Sequence, residues 1–173
     1  LMALGIGANT AVFSLANAVL LRTLPVPEAD RLVLLALDSP DGSSQYMLPQ
    51  DVYRRLRDEN DVLQSFAAAT FPPITLAGDG SAERVDGLLV SGTFFETLGV
   101  EAILGRVLTP DDERMPVCVI GYGLWQRRFG GDPAVIGRTV QVNAHPFTVV
   151  GVTPDEFAGL TEEAPLDISI PLR

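Results

Sequence analysis

The sequence predicts an α+β domain preceded by one apolar helix. The 12 basic and 22 acidic side chains all lie at or beyond Arg22, so the first 21 residues carry no charge. Beyond them, helical and strand-like patterns are mixed, and the strands come in hairpins rather than in the regular strand–helix alternation of a doubly wound parallel sheet. We therefore expect a mixed, mainly antiparallel sheet, incomplete at its C-terminus.

The composition limits the kinds of protein to which this chain can belong. With 173 residues, 47 % of them hydrophobic, the chain can bury one sizeable core. Its net charge of -10 and the lack of clustered basic residues exclude nucleic acid as an expected partner. Cys118 is the only cysteine, so no disulfide can form within the chain, and its neighbours Val117 and Val119 favour a buried strand thiol.

The first 22 residues are predicted to form a transmembrane helix. A spanning helix needs about 20 predominantly apolar residues, and this segment is just long enough. Small residues recur on one side of it, a pattern that lets membrane helices pack closely, at Ala3, Gly7, Ala11, Ser14 and Ala18. A signal peptide, a core helix of a soluble protein, and an anchor with no transport role are the alternatives, but the apolar run continues to Leu24 without a typical cleavage site.

The segment after the predicted helix leaves the membrane in this interpretation. Pro25 and Pro27 end the helix, because proline lacks an N–H group and restricts the residue before it. The apolar run over residues 31–37 predicts a short buried strand, and residues 38–44 predict a loop. We assign residues 23–173 to one extracytoplasmic domain, of which this chain holds a part.

A helix is predicted over residues 49–60, where Val52, Tyr53 and Leu56 share an apolar face. Its arginines alternate with acids, which indicates a solvated face rather than an anion site. These arginines are Arg54, Arg55 and Arg57.

The middle of the chain predicts short strands and a short helix. The strands are expected over residues 66–71, 74–77 and 84–90, with Gly78, Asp79 and Gly80 as a turn. Phe94, Phe95 and Leu98 lie on a helix over residues 93–98, which Gly99 ends.

The last third predicts a strand, a helix and a hairpin. A buried strand over residues 116–120 leads to a helix over residues 122–129, which ends at Gly130 and Gly131, and Asp132 and Pro133 open one more turn. Residues 138–142 and 147–152 form a hairpin with one solvated face, turning at residues 143–146. Residues 167–173 read as a further strand, cut off in mid-structure.

Candidate catalytic groups are few. His145 is the only histidine and lies in a predicted turn without an evident partner, so we interpret it as a surface residue. Asp111, Asp112 and Glu113 follow Thr109 and Pro110, which is typical of a capped helix start. A weak Ca²⁺ site, or a hydrolase that uses Asp111 or Asp112, is the alternative interpretation.

The glycine motifs do not indicate nucleotide binding. Gly121 and Gly123 follow a strand, but the third glycine of a dinucleotide loop is absent and Trp125 stands close by. The sequence contains no glycine-lysine phosphate loop, so any energy from ATP has to come from a partner. We predict no catalytic, cofactor-binding or metal-binding residue, and therefore no enzyme.

Several stretches resemble one family. LGIGANTAVF at residues 4–13 and LPVPEADR at residues 24–31 resemble the first transmembrane helix and its exit in MacB/FtsX-type ABC transporter permeases. VSGTFFETLGV at residues 90–100, LGR at 104–106 and VIGYGLWQRRFG at 119–130 resemble the MacB-like periplasmic core domain, with residues 132–138 and 147–152 completing the likeness. The acidobacterial duplicated orphan permeases are the most similar members.

This resemblance implies a permease subunit in a bacterial inner membrane, with residues after about 23 on the periplasmic side. It implies an outer domain of two lobes, one of them built from non-adjacent segments, so that a sheet edge is left open in this chain. The implied partners are a cytoplasmic ABC ATPase supplied in trans, other permease helices or a second permease half in a dimer, and membrane lipid.

The implied function couples ATP-driven conformational change to export or mechanotransmission. The alternative is a membrane-anchored interaction domain that regulates an envelope enzyme without transporting solute.

Overall fold

The computed structural model describes residues 26–35, 37–38, 44–45, 49–78, 81–160 and 165–172. The predicted transmembrane helix over residues 1–22 lies outside this part of the chain. Within the described ranges, no helix has the length and apolar character needed to cross a bilayer.

Three α-helices and eleven strands make up the described fold. The helices are α1 (Gln50–Asp58), α2 (Phe94–Leu98) and α3 (Tyr122–Phe129). The strands are β1 (Leu37–Asp38), β2 (Ser44–Gln45), β3 (Ala69–Thr70), β4 (Ile74–Gly78), β5 (Ser81–Val85), β6 (Gly87–Val90), β7 (Leu104–Gly105), β8 (Val117–Ile120), β9 (Thr139–Val142), β10 (His145–Val152) and β11 (Ile168–Pro171).

Among the described residues, nine of these strands form one mixed sheet in the order β3-β6-β11-β8-β10-β9-β4-β5, with β7 added beside β10. The pairs β8–β10 and β6–β11 are parallel, and the other neighbours are antiparallel. The predicted α+β class and the predominance of antiparallel pairing are confirmed.

The sheet is buried on both faces at its centre. In β8, Cys118 and Ile120 belong to the core under α3, which we call the first face, whereas Val117 and Val119 belong to the core under α2, the second face. A strand covered on both sides reads as a continuous apolar run, which is what residues 117–120 show. Helices α2 and α3 therefore lie on opposite sides of one sheet.

Helix α3 forms as the sequence predicts. Leu124 is fully buried on the first face, and the helix ends at Gly130, whose φ of 62° is readily adopted by glycine. Asp132 then caps the next 3₁₀ turn by accepting a hydrogen bond from Ala134 N–H, and its carbonyl accepts one from Trp125 Nε1.

The predicted strand over residues 84–90 is wrong as a single element. The chain turns at Asp86, so that β5 lies at one edge of the sheet while β6 lies near the other. A side chain at Gly87 would approach Ile74 Cδ1 to 2.5 Å and Ile168 Cγ2 to 2.8 Å. The start of β6 therefore needs a glycine, because it passes close to two distant segments, which no local pattern reveals.

The predicted buried strand over residues 31–37 is also wrong. Residues Ala29–Arg31 form a 3₁₀ turn, and Val33 and Leu34 are 64 % and 79 % exposed. Within the described part of this range a strand forms only at Leu37–Asp38, which pairs with β2 across what was predicted to be a loop. An apolar run indicates burial, but residues 32–35 pair with no described strand, and of these residues Leu32 alone packs on the core of the second face.

Candidate functional site

The acidic cluster is a structural cap. Asp112 is buried and accepts hydrogen bonds from Arg106 Nη2 at 2.9 Å and from Thr109 N–H and Oγ1 at 2.9 and 3.1 Å. The bond from Arg106 holds the pKa of Asp112 below its usual value, against the opposing effect of burial. Asp111 is exposed, and Glu113 faces Gly92 N–H at 3.4 Å. The predicted capped start at Thr109 is confirmed.

The structure places the other candidates apart from one another. His145 is exposed, with Nδ1 2.9 Å from the carbonyl of Asn143 in a turn whose residues 143 and 144 have positive φ. Cys118 is fully buried in β8, which confirms the predicted buried strand thiol, and desolvation raises its pKa to about 12. Within the described residues, no three His, Cys, Asp or Glu side chains are grouped closely enough to hold a metal ion.

Gly121 has a packing role. A Cβ atom there would lie 1.9 Å from the carbonyl oxygen of Leu166, and Gly121 N–H donates to the carbonyl of Asp167 at 2.8 Å. Gly123, in contrast, has no atom closer than 3.9 Å to its virtual Cβ. The first glycine of the motif allows the chain before β11 to cross the start of α3.

Two arginines of α3 form ion pairs that sequence analysis missed. Arg127 binds the buried Asp167 through both terminal nitrogens, at 2.8 and 2.7 Å, and this bonding raises the pKa of the guanidinium. Arg128 reaches β4 and β5, bonding Glu83 Oε1 at 2.7 Å and the carbonyls of Gly78 and Ser81 at 3.2 and 3.1 Å. The α3 ion pairs thus join the helix to the β4–β5 end of the sheet and to the residue that precedes β11.

The segment Val26–Leu32, which we call the elbow, lies against the second face. Val26 and Leu32 pack on the core that contains Phe95 and Leu98. Pro27 lies over Gly99 at the end of α2, 3.4 Å from the position of a virtual Cβ. The elbow therefore contacts the helix that covers this face.

Polar contacts hold the elbow as well. Arg31 forms an ion pair with Glu28 and donates to Gln64 Oε1 at 3.0 Å. Next to Gln64, Ser65 Oγ lies 2.7 Å from Thr97 Oγ1 on α2. The elbow, the segment after α1 and helix α2 are thus joined in one contact network.

A shallow groove of about 320 Å³ lies beside this network. Its buried floor is formed by Phe95, Val100 and Leu108, and Glu96 and Glu101 line its exposed rim. Gly99 belongs both to the groove and to the Pro27 contact. The ionised side chains described above, Asp112, Arg127 and Arg128, serve as structural partners.

The comparisons with known proteins agree with this fold. A family model described as MacB-like periplasmic core domain matches residues 1–173. No curated protein matches the chain.

Three solved structures are similar. The periplasmic region of MacB from Actinobacillus actinomycetemcomitans has a TM-score of 0.58 and 22 % identity over 70 % of this chain. The extracellular domain of the noncanonic ABC-type transporter YknZ from Gram-positive bacteria has a TM-score of 0.57 and 15 % identity over 72 % of this chain. A domain of a putative permease protein from Porphyromonas gingivalis has a TM-score of 0.53 and 23 % identity over 69 % of this chain. The chain spans 53, 62 and 51 % of these structures, respectively.

Proposed function

The chain belongs to the family of MacB-like periplasmic core domains, and from this premise we propose that it is the extracytoplasmic part of an ABC transporter permease subunit. In this proposal the domain couples ATP-driven conformational change in the membrane to export, or to mechanical work, on the outer side. The observation that carries the proposal is the family match over residues 1–173, which agrees with a fold shared with the periplasmic region of MacB and the extracellular domain of the ABC-type transporter YknZ.

The sheet domain has the properties of a body that transmits movement. Its central strands are covered on both faces, and the α3 ion pairs connect the helix to β5 and to the residue that precedes β11. Close-packed interiors of this kind deform little and pass displacement on. We propose that the domain acts by movement and binding rather than as an enzyme, because its buried ionised groups are used for capping and pairing.

The ATPase would be a separate subunit on the cytoplasmic side. The proposed permease role implies an ABC ATPase partner, to which we assign the nucleotide chemistry. A second permease half and membrane lipid are the further proposed partners. Regulation of an envelope enzyme without solute transport is the other role proposed for the same topology.

The first test determines on which side of the membrane the domain lies. Cysteines introduced as Val62→Cys and His145→Cys in the full-length protein are treated, in intact spheroplasts, with a maleimide that cannot cross the inner membrane. Val62 is 85 % exposed and His145 is exposed, so both thiols are accessible in the folded domain. We expect labelling at both sites in intact spheroplasts.

The native thiol supplies the control. Any cysteine outside residues 1–173 is replaced by serine. Because Cys118 is buried with a pKa raised to about 12, the protein without introduced cysteines should then remain unlabelled until it is denatured. Labelling of the two introduced cysteines only after lysis would place the domain in the cytoplasm and contradict the proposal.

Coupling to ATP is tested in membranes that contain the cognate ATPase. We expect ATP with vanadate to change the labelling rate of a cysteine introduced near the membrane. The labelling rate of the cysteine in the His145→Cys variant should stay unchanged. Identical rates at every site with and without nucleotide would argue against ATP-driven movement and favour the regulatory role.

A further inference from the structure

We propose that the elbow is a fixed joint: residues 26–32 and the sheet domain move as one rigid body while the transporter works. The inference rests on the proposed function and identifies a segment that does not bend during the transport cycle. If the membrane segment and the domain move relative to each other, the bend then lies outside the elbow, and a displacement of residue 26 also displaces α2.

The contact between Pro27 and Gly99 is the first argument. The proline ring fixes its own φ, and Gly99 ends α2 with a φ of 67°. Gly99 has no side chain, and a Cβ atom added there would lie 3.4, 3.5 and 3.8 Å from Pro27 Cβ, Cγ and Cδ. A methyl group at Gly99 would thus be in ordinary van der Waals contact with the ring, which places the ring beside a helix end whose positive φ favours glycine.

The backbone of the elbow is the second argument. Arg31 N–H donates to the carbonyl of Glu28 at 2.9 Å, and Leu32 N–H donates to that of Ala29 at 3.2 Å. Glu28 has a φ of 53°, which is uncommon for a residue with a side chain and persists where the surroundings hold it. The Arg31 side chain adds bonds to Glu28 and Gln64.

Apolar anchoring at both ends is the third argument. Val26 before the turn and Leu32 after it both pack on the second-face core. Hinges are drawn from segments with few buried contacts, since their residues have to change φ and ψ. A hinge between Val26 and Leu32 would move Val26 away from the core and separate Pro27 from the end of α2, while Leu32 stayed with the domain.

The test is a disulfide across the contact. A separation of 3.4 Å between Pro27 Cβ and the virtual Cβ of Gly99 is close to the 3.5–4.5 Å that disulfides commonly show. The variant Pro27→Cys/Gly99→Cys is made in the full-length protein and oxidised in native membranes, with and without ATP and vanadate. Any cysteine outside residues 1–173 is replaced by serine, the buried Cys118 does not compete, and cross-linked protein is measured by its gel mobility.

We expect complete cross-linking at rates that agree within about twofold in the two conditions, since a fixed separation leaves the encounter of the thiols unchanged. Cross-linking that slows tenfold or stops when nucleotide is added would overturn the inference. So would a loss of ATP-dependent activity on oxidation that a reductant restores. The single variant Gly99→Cys and the variant Gly130→Cys, at another helix end with positive φ, control for backbone strain.

A second measurement covers the case in which the double variant does not fold. Hydrogen exchange of the wild-type protein should show the amides of Arg31 and Leu32 protected together with those of α2. Exchange at the rate of an unstructured peptide would refute the fixed joint. Neither cross-linking without nucleotide nor amide protection depends on an ATPase, so a cytoplasmic location found by labelling would defeat the proposed function and leave the joint intact.

Discussion

Alanine at Gly121 and alanine at Gly123 are expected to have opposite effects on stability. At Gly121 the new Cβ would lie 1.9 Å from the carbonyl oxygen of Leu166, and that oxygen belongs to the backbone, so it cannot rotate away. At Gly123 the closest atom is the end of a flexible arginine side chain at 3.9 Å. The two glycines are two residues apart and offer a matched comparison.

The magnitudes follow from what each change disturbs. Gly121→Ala pushes residues 166–167 away from α3, which breaks the hydrogen bond from Gly121 N–H to Asp167, costing about 1 kcal/mol. It also weakens the ion pair between Arg127 and the buried Asp167. Because Arg127 is half exposed, we take about 2–3 kcal/mol for this loss, which is less than the cost of breaking a fully buried pair. The sum is about 3–4 kcal/mol, a large part of the roughly 5–15 kcal/mol by which domains are stable.

Gly123→Ala should stabilise the protein by up to about 1 kcal/mol, because alanine loses less backbone freedom than glycine within a helix. The assay is denaturant unfolding followed by the fluorescence of Trp125, the one tryptophan of the chain. If Gly121→Ala changes the free energy of unfolding by less than about 1 kcal/mol, the close crossing at α3 is wrong. If Gly123→Ala is strongly destabilising, the motif has a role that packing does not explain.

Three further predictions concern named side chains. Asp112→Asn should lower the free energy of unfolding by about 1–2 kcal/mol at pH 7. Because the folded pKa of Asp112 is depressed, its contribution to stability is present above its unfolded pKa of about 3.9 and is lost as the pH falls through the folded pKa. The free energies of unfolding of wild type and variant should therefore converge in acid. A constant difference down to low pH would contradict the assignment. Arg127→Met should destabilise by about 2–3 kcal/mol, because Asp167, only 5 % exposed, loses its cation, and a change in melting temperature within error would count against the pairing. Cys118 should react with a thiol reagent only in denaturant, and rapid reaction of the native protein would show that it is not buried.

The fold elements with strong local signals were predictable. Helix α3 was predicted with correct bounds because Gly130 and Asp132 mark its end and the next turn. The strand over residues 117–120 and the hairpin of β9 and β10 follow from apolar runs and alternation. The class and the antiparallel majority followed from the succession of these elements.

The contacts of the candidate site had weaker signals. Arg127 and Asp167 are 40 residues apart, and no spacing rule connects them. The close approach of side chains from β4 and β11 to Gly87, just after the turn at Asp86, has no local signal either. The elbow was predicted as a helix stop, but its attachment to α2 depends on a glycine that is 72 positions later. Tertiary packing decided each of these features.

The position of β11 has a consequence for how the domain is made. It lies between β6 and β8, so the pair β3–β6 joins the rest of the sheet only through it. Its residues follow β6 by about 80 positions, which gives the sheet many contacts between residues that are distant along the chain. Such topologies fold slowly, because the entropy cost of closing a long loop comes before the strand pairing that offsets it. During synthesis, the edges of β6 and β8 therefore stay unpaired until residues 168–171 emerge, and this is the interval in which the nascent domain is most exposed to aggregation.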